Sequence, residues 1–136
     1  MQRTFKRRGF VSLRHTGLAR RPEAPIHRLM TGERAGQIAV IFVSRRNAED
    51  DAGYAGAAAA MGALAAEQPG YCGIVSVRDA EGLGITVSYW ADEASAKAWR
   101  DNPDHARIRA AGRERWYDSY EVVVAEATRS YDWRRG

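Results

Sequence analysis

The sequence predicts an α+β domain: one antiparallel sheet with its helices on one face, in the order strand, helix, strand, strand, helix, strand. Three observations predict it. Four runs of strand length, apolar or alternating, are separated by two stretches with helical periodicity. The second and third runs adjoin through a turn region holding Gly82 and Gly84, the pattern of a hairpin. The chain of 136 residues suits one domain plus a tail.

Residues 1–36 show no sustained apolar period and carry Pro22, Pro25 and four glycines, so they read as a disordered, basic N-terminal extension. They hold nine Lys or Arg against two Glu, a charge of +7, which leaves −3 for the remainder of a chain whose net charge is +4. The basicity therefore belongs to the tail and does not argue that the folded part binds nucleic acid. An arginine-rich, acid-poor N-terminus is similar to an organelle transit peptide, and it could also hold an acidic partner by charge attraction. The simpler reading is that translation starts at Met30, just before the first strand. A secretory signal is not expected, because no apolar segment follows the charges.

Ile38 to Val43 is a continuous apolar run and reads as a buried strand. Asn47 can cap the next helix, with Glu49, Asp50 and Asp51 suiting its positive end. Tyr54, Ala57, Ala58, Met61, Leu64 and Ala65 fall on one stripe of that helix, and Pro69-Gly70 ends it. Tyr71 to Arg78 alternates, with Tyr71, Gly73, Val75 and Val77 expected on one face. In the partner strand Ile85, Val87 and Tyr89 alternate with Thr86, Ser88 and Trp90. Ala94 to Trp99 is a short helix. Asn102-Pro103-Asp104 is a strong start for another: a capping amide, proline at the first position, then an acid. That helix runs to about Trp116, and Tyr120 to Tyr131 is a long final strand. Helices on one face of a sheet leave the other face to bury, and a second copy of the sheet is the obvious cover.

Composition excludes several classes. Cys72 is the one cysteine, so neither an internal disulfide nor a paired-thiolate zinc site can form. No stretch has the apolar length a membrane helix requires. The expectation is a cytoplasmic protein with no membrane and no nucleic-acid partner. No serine triad, paired-carboxylate signature, clustered metal-ligand spacing or phosphate-binding glycine loop is present, so no metal or cofactor is expected.

The candidate site residues come from the helix that starts at Pro103. His105, Ile108, Arg109, Gly112 and Trp116 share one stripe, while Arg107 and Glu114 face away. A structural stripe rarely mixes histidine, arginine and tryptophan. Near a helix N-terminus His105 is expected to stay neutral, and so able to take a proton from a phenol. Gly112 is expected to let a ligand approach the backbone. His105 and Trp116 lie roughly 16 Å apart along the helix, so a planar ligand could touch both. Trp90, Trp99 and Trp116, with Tyr89, Tyr117 and Tyr120, supply flat apolar surface. Thr86 and Ser88 share a strand face with Trp90 and could offer hydroxyls. The competing reading is an ordinary aromatic core with a satisfied helix-start histidine.

The segments Gln68-Pro69-Gly70-Tyr71, Gly84-Ile85-Thr86-Val87-Ser88-Tyr89-Trp90 and His105 through Gly112-Arg113-Glu114-Arg115-Trp116-Tyr117 resemble the antibiotic biosynthesis monooxygenase family over residues 37–133. The resemblance implies a ferredoxin-like βαββαβ fold that closes with a second copy into a dimeric α+β barrel, each subunit keeping a cavity between sheet and helices. It implies, further, a cofactor-independent monooxygenase that oxidises an aromatic phenol or quinol with O₂. In that reading His105 is the base, Trp90, Trp99, Arg109, Gly112, Trp116, Thr86 and Ser88 contact substrate, and the partners are a second copy and a small aromatic molecule. Alternatives are haem binding and degradation through His105, and a non-catalytic dimeric ligand-binding module. Arg109 departs from the family pattern, which commonly carries glutamine there, and Thr128 stands where an acidic residue usually precedes the arginine.

Overall fold

In the computed structural model of the chain, residues 33–136 are described. The expected disordered extension and the start at Met30 lie outside them, apart from residues 33–36. Arg34 and Gly36 already belong to the fold: Arg34 N donates to Ser130 Oγ and Gly36 N to the Ala127 carbonyl.

Seven elements follow: β1 Ile38–Arg46, α1 Asp51–Ala66, β2 Tyr71–Arg78, β3 Leu83–Trp90, α2 Glu93–Asp101, α3 Pro103–Arg115 and β4 Tyr117–Glu126. The sheet has four strands in the order β2-β3-β1-β4, and every neighbouring pair is antiparallel. This is the ferredoxin-like βαββαβ arrangement, with the second helical stretch divided at Asn102 into α2 and α3. The Asn102 side chain accepts from Asp104 N and His105 N, so the expected cap is present and turns the chain between the two helices.

The first helix starts later than the Asn47 signal suggested. Asp50 is its cap, in the left-handed region at φ 52°, and its carboxylate accepts from Gly53 N. Asn47 instead bonds Glu49 N and the Arg115 carbonyl, tying the loop after β1 to the end of α3. The final strand also differs from the expected Tyr120–Tyr131. It begins at Tyr117 and ends at Glu126, where pairing with Ile38 runs out. Tyr131 and Trp133 beyond it are exposed.

Two bulges set which residues face the helices. Register shifts between Tyr71 and Gly73, leaving Cys72 unpaired, and again where Arg45 pairs with Ser119 but Arg46 with Tyr117, leaving Asp118 unpaired. One extra residue flips the alternation. Tyr71 therefore faces the helices with Trp90, opposite to Gly73, Val75 and Val77, which corrects the expected single face. Gly73 sits at φ 137°, a conformation that side chains rarely adopt, and so permits the bulge. Tyr117 likewise joins Tyr120 and Val122 on the helix side.

The core lies between that side and the helices. Ala65, Trp90, Ala96 and Trp99 are buried, with Ile38, Val40, Met61, Leu64 and Tyr71 packed against them. On the far side of the sheet, Val75, Val77, Ile85 and Val123 remain exposed. No helix among the described residues is long and apolar enough to cross a membrane.

Candidate functional site

A cavity of ≈ 560 Å³ lies between the sheet and the helices. That volume is in the range that holds a small ligand, roughly 300–1,000 Å³. Val40, Ile74 and Val122 line it from the sheet, Ala58 and Met61 from α1, and Ile108 from α3. Its wall is mostly apolar, and polar groups gather at two ends.

The first end is built around His105. The ring Nδ1 is 2.7 Å from the Trp99 carbonyl oxygen. A carbonyl can only accept, so Nδ1 carries hydrogen and the neutral ring keeps its free lone pair on Nε2. The imidazole stacks on the Trp99 indole at 4.2 Å and 7°. Trp99 in turn stacks on Trp90 at 5.7 Å, and Trp90 meets Tyr71 edge-on. This aromatic column fixes the imidazole in place. Burial pushes its pKa below the ordinary 6.5, the Trp99 carbonyl opposes that, and the Arg109 charge adds to it. Arg109 also lines the cavity, its Nη1 donating to the Arg100 carbonyl at 3.3 Å.

The other sequence-derived candidates divide. Trp99 and Trp116 line the cavity. Trp116 is buried, and its Nε1 donates to Asp50 Oδ2 at 3.2 Å, so the α1 cap also anchors the C-terminal end of α3. Thr86 and Ser88 line it too, but each hydroxyl already has a protein partner: Ser76 Oγ lies 2.6 Å from Thr86 Oγ1, and Trp90 Nε1 donates to Ser88 Oγ. Trp90 is not a wall residue. It is fully buried behind Trp99, because its helix-side position faces the Trp99 ring rather than the open space. Gly112 is not open to a ligand either. A Cβ there would lie 2.8 Å from Tyr117 Cε2, so the Tyr117 ring fills the space the missing side chain leaves.

The second end was not anticipated as polar. Tyr54, Tyr117 and Tyr120 line it. Arg78 Nη2 donates to the Tyr54 hydroxyl at 3.1 Å and to Ser44 Oγ at 2.8 Å, and Nη1 donates to the Gly82 carbonyl at 2.6 Å. Burial, then the neighbouring Tyr54, push the Tyr117 phenol far above its usual pKa, so it stays protonated. Arg78 could have been found from its alternation with Ile74 and Ser76. The position of Tyr117 could not, because only the bulge aims it inward. Among the described residues no group of three or more His, Cys, Asp and Glu is placed to hold a metal ion.

Fold and site together define an α+β protein of the ferredoxin-like class with an aromatic-walled cavity carrying one oriented histidine. Residues 37–111 match the family antibiotic biosynthesis monooxygenase. A Bacillus subtilis (strain 168) protein designated "Uncharacterized protein YqjZ" is 42% identical over 112 residues, spanning 82% of this chain and 88% of that one. The chain belongs to the antibiotic biosynthesis monooxygenase family. Its fold is shared with SnoaB from Streptomyces nogalater, described as a cofactor-independent oxygenase, at TM-score 0.60 and 17% identity over 68% of this chain and 94% of that one. Rv0793 from Mycobacterium tuberculosis matches at TM-score 0.60 and 16% identity over 67% of this chain and 94% of that one.

Proposed function

We propose that the protein is a cofactor-independent monooxygenase of an aromatic phenol or quinol, acting as a cytoplasmic homodimer. One observation carries the reading: the Trp99 carbonyl fixes the His105 tautomer so that Nε2, the basic nitrogen, has no partner among the described residues and sits in a half-buried cavity wall. A neutral imidazole held this way is suited to remove a proton from a bound hydroxyl or an activated ring carbon. The apolar wall favours transfer of the resulting negative charge to O₂ over its stabilisation by water. The stoichiometry closes without a cofactor: a ring CH₂ and O₂ become a carbonyl and water, the substrate supplying all the electrons. Aromatic walls from Trp99 and Trp116 suit a flat substrate. The cofactor-independent description of SnoaB supports the same class of reaction.

An oxygen electrode tests it. A hydroxyanthrone or naphthohydroquinone should be consumed with O₂ faster than in buffer, and His105→Ala should lower the rate by roughly 10²–10⁴-fold while leaving binding largely intact. A rate equal to the uncatalysed one would favour a non-catalytic ligand-binding module.

A second reading draws on the same bond. Histidines that ligate metal usually donate their other ring N–H to a carbonyl or carboxylate, as Nδ1 of His105 does here. His105 would then hold a haem iron through Nε2, and the haem would supply the oxygen activation. A Soret band that survives dialysis and is lost in His105→Ala would put this reading first.

A further inference from the structure

We propose that Tyr117, positioned by Tyr54 and Arg78, forms a second binding subsite of the cavity: a hydrogen-bond donor for a carbonyl or quinone oxygen at the end of the ligand remote from His105. The proposal rests on the reading of the cavity as an aromatic-ligand site and adds what that ligand carries at its far end.

The first argument is backbone geometry. Without the extra residue at Asp118, the alternation of β4 would send Tyr117 to the opposite side of the sheet from Tyr120. The bulge turns it into the cavity, and bulges beside binding sites commonly re-aim a side chain in this way. The ring is then held on several sides. Phe42 meets it edge-on at 5.4 Å, Tyr54 at 6.1 Å, and Gly112 leaves the helix backbone bare beneath it. So the hydroxyl is placed before any ligand arrives, which lowers the ordering cost of binding.

The second argument is a count of protons. Tyr54 and Tyr117 meet edge-on at 6.1 Å, and their hydroxyls are neighbours at this end of the cavity. Arg78 donates to the Tyr54 oxygen, and as a guanidinium it accepts no hydrogen bond in return. Two phenols bring two hydroxyl hydrogens, and even a bond between them would use only one. Among the described residues no other acceptor takes the second. The pair therefore offers one spare O–H to the cavity it lines. Burial keeps Tyr117 protonated, so the group remains a donor.

The third is distance. The Tyr117 ring lies against Gly112, and His105 stands seven residues earlier, in the first turn of α3, roughly 10 Å away along the axis. A single ring cannot reach both groups. A polycyclic aromatic can, with an ionisable hydroxyl at His105 and an acceptor oxygen at Tyr117.

The test compares two probes of similar shape, hydroxyanthraquinone, which has carbonyl acceptors, and hydroxyanthracene, which has none. Binding is read by saturable quenching of tryptophan fluorescence, with no turnover required. Tyr117→Phe should weaken hydroxyanthraquinone by about fivefold, the worth of one neutral hydrogen bond, and leave hydroxyanthracene unchanged. Tyr54→Phe should give a smaller loss with the same selectivity, since it acts on the position of Tyr117. Equal weakening of both probes would make Tyr117 a wall only and overturn the proposal, as would no effect on either. Failure of both probes to bind the unaltered protein would overturn it together with the aromatic-ligand reading. If the selectivity holds but no quinol is oxidised, the proposed reaction falls and the subsite stands.

Discussion

At the scale of single residues, His105 is governed by what surrounds it rather than by its place in the sequence. The helix-start position suggested a neutral ring, and the structure supplies stronger causes: burial first, then the Arg109 charge. Two consequences follow from a pKa lowered below 6.5. The base stays unprotonated as the medium turns mildly acidic, so the acid limb of kcat/KM should fall below pH 6.5. Stability should decline as the pH drops through 6.5, because the unfolded chain takes up a proton that the folded chain resists, and the loss should level off below the folded pKa. Arg109→Gln should move the rate limb toward higher pH, since it removes one of the causes of the depression. An unmoved limb would show that Arg109 does not act on His105. The candidate stripe was legible in sequence because helical periodicity is local. The sorting within it was not: Trp90 lies behind the wall through a stacking partner on another element, and no spacing in the chain encodes that.

At the scale of elements, the two bulges carry more of the site than any helix signal. Period-two alternation correctly placed Thr86, Ser88 and Trp90 together, since β3 is regular. It failed at Tyr71 and was silent on Tyr117, because one unpaired residue reverses every side chain beyond it and leaves little mark in the sequence. The α1 start was misplaced for a related reason. Asn47 and Asp50 are both good caps, and the choice fell to Asp50 through its second bond to Trp116, a contact between distant segments. Gly112 gives a sharp test of this level. Alanine favours helix over glycine by about 1 kcal/mol, so propensity alone predicts stabilisation. The contact with Tyr117 predicts overpacking that costs about 1–3 kcal/mol. Gly112→Ala should therefore lower the urea midpoint or leave it nearly unchanged, and a clear rise would mean the Tyr117 ring moves aside freely. Trp116→Phe should destabilise by about 1–3 kcal/mol, because it strips the Asp50 carboxylate of a donor and empties part of a buried ring site.

At the scale of the whole molecule, the four-strand sheet leaves an apolar face uncovered, with Val77 65% exposed and Val75, Ile85 and Val123 beside it. Such a face is unusual on a monomer, and a second copy of the sheet would cover it. Residues 30–136 should sediment at twice the monomer mass, and Val75→Lys with Val77→Lys should shift them toward one chain; a stable monomer of the unaltered chain would contradict the dimer. Removing residues 1–29, which carry a basic excess and show no apolar period in sequence, should leave the melting temperature unchanged, and a clear drop would contradict this. The most direct test of the central account is turnover of a hydroxyanthrone under isotopically labelled O₂, with the product and water analysed by mass spectrometry. The account predicts one labelled oxygen atom in each quinone formed, its partner atom in water, and loss of both in His105→Ala. No turnover above the uncatalysed rate, or a product oxygen that comes from unlabelled water, would contradict it.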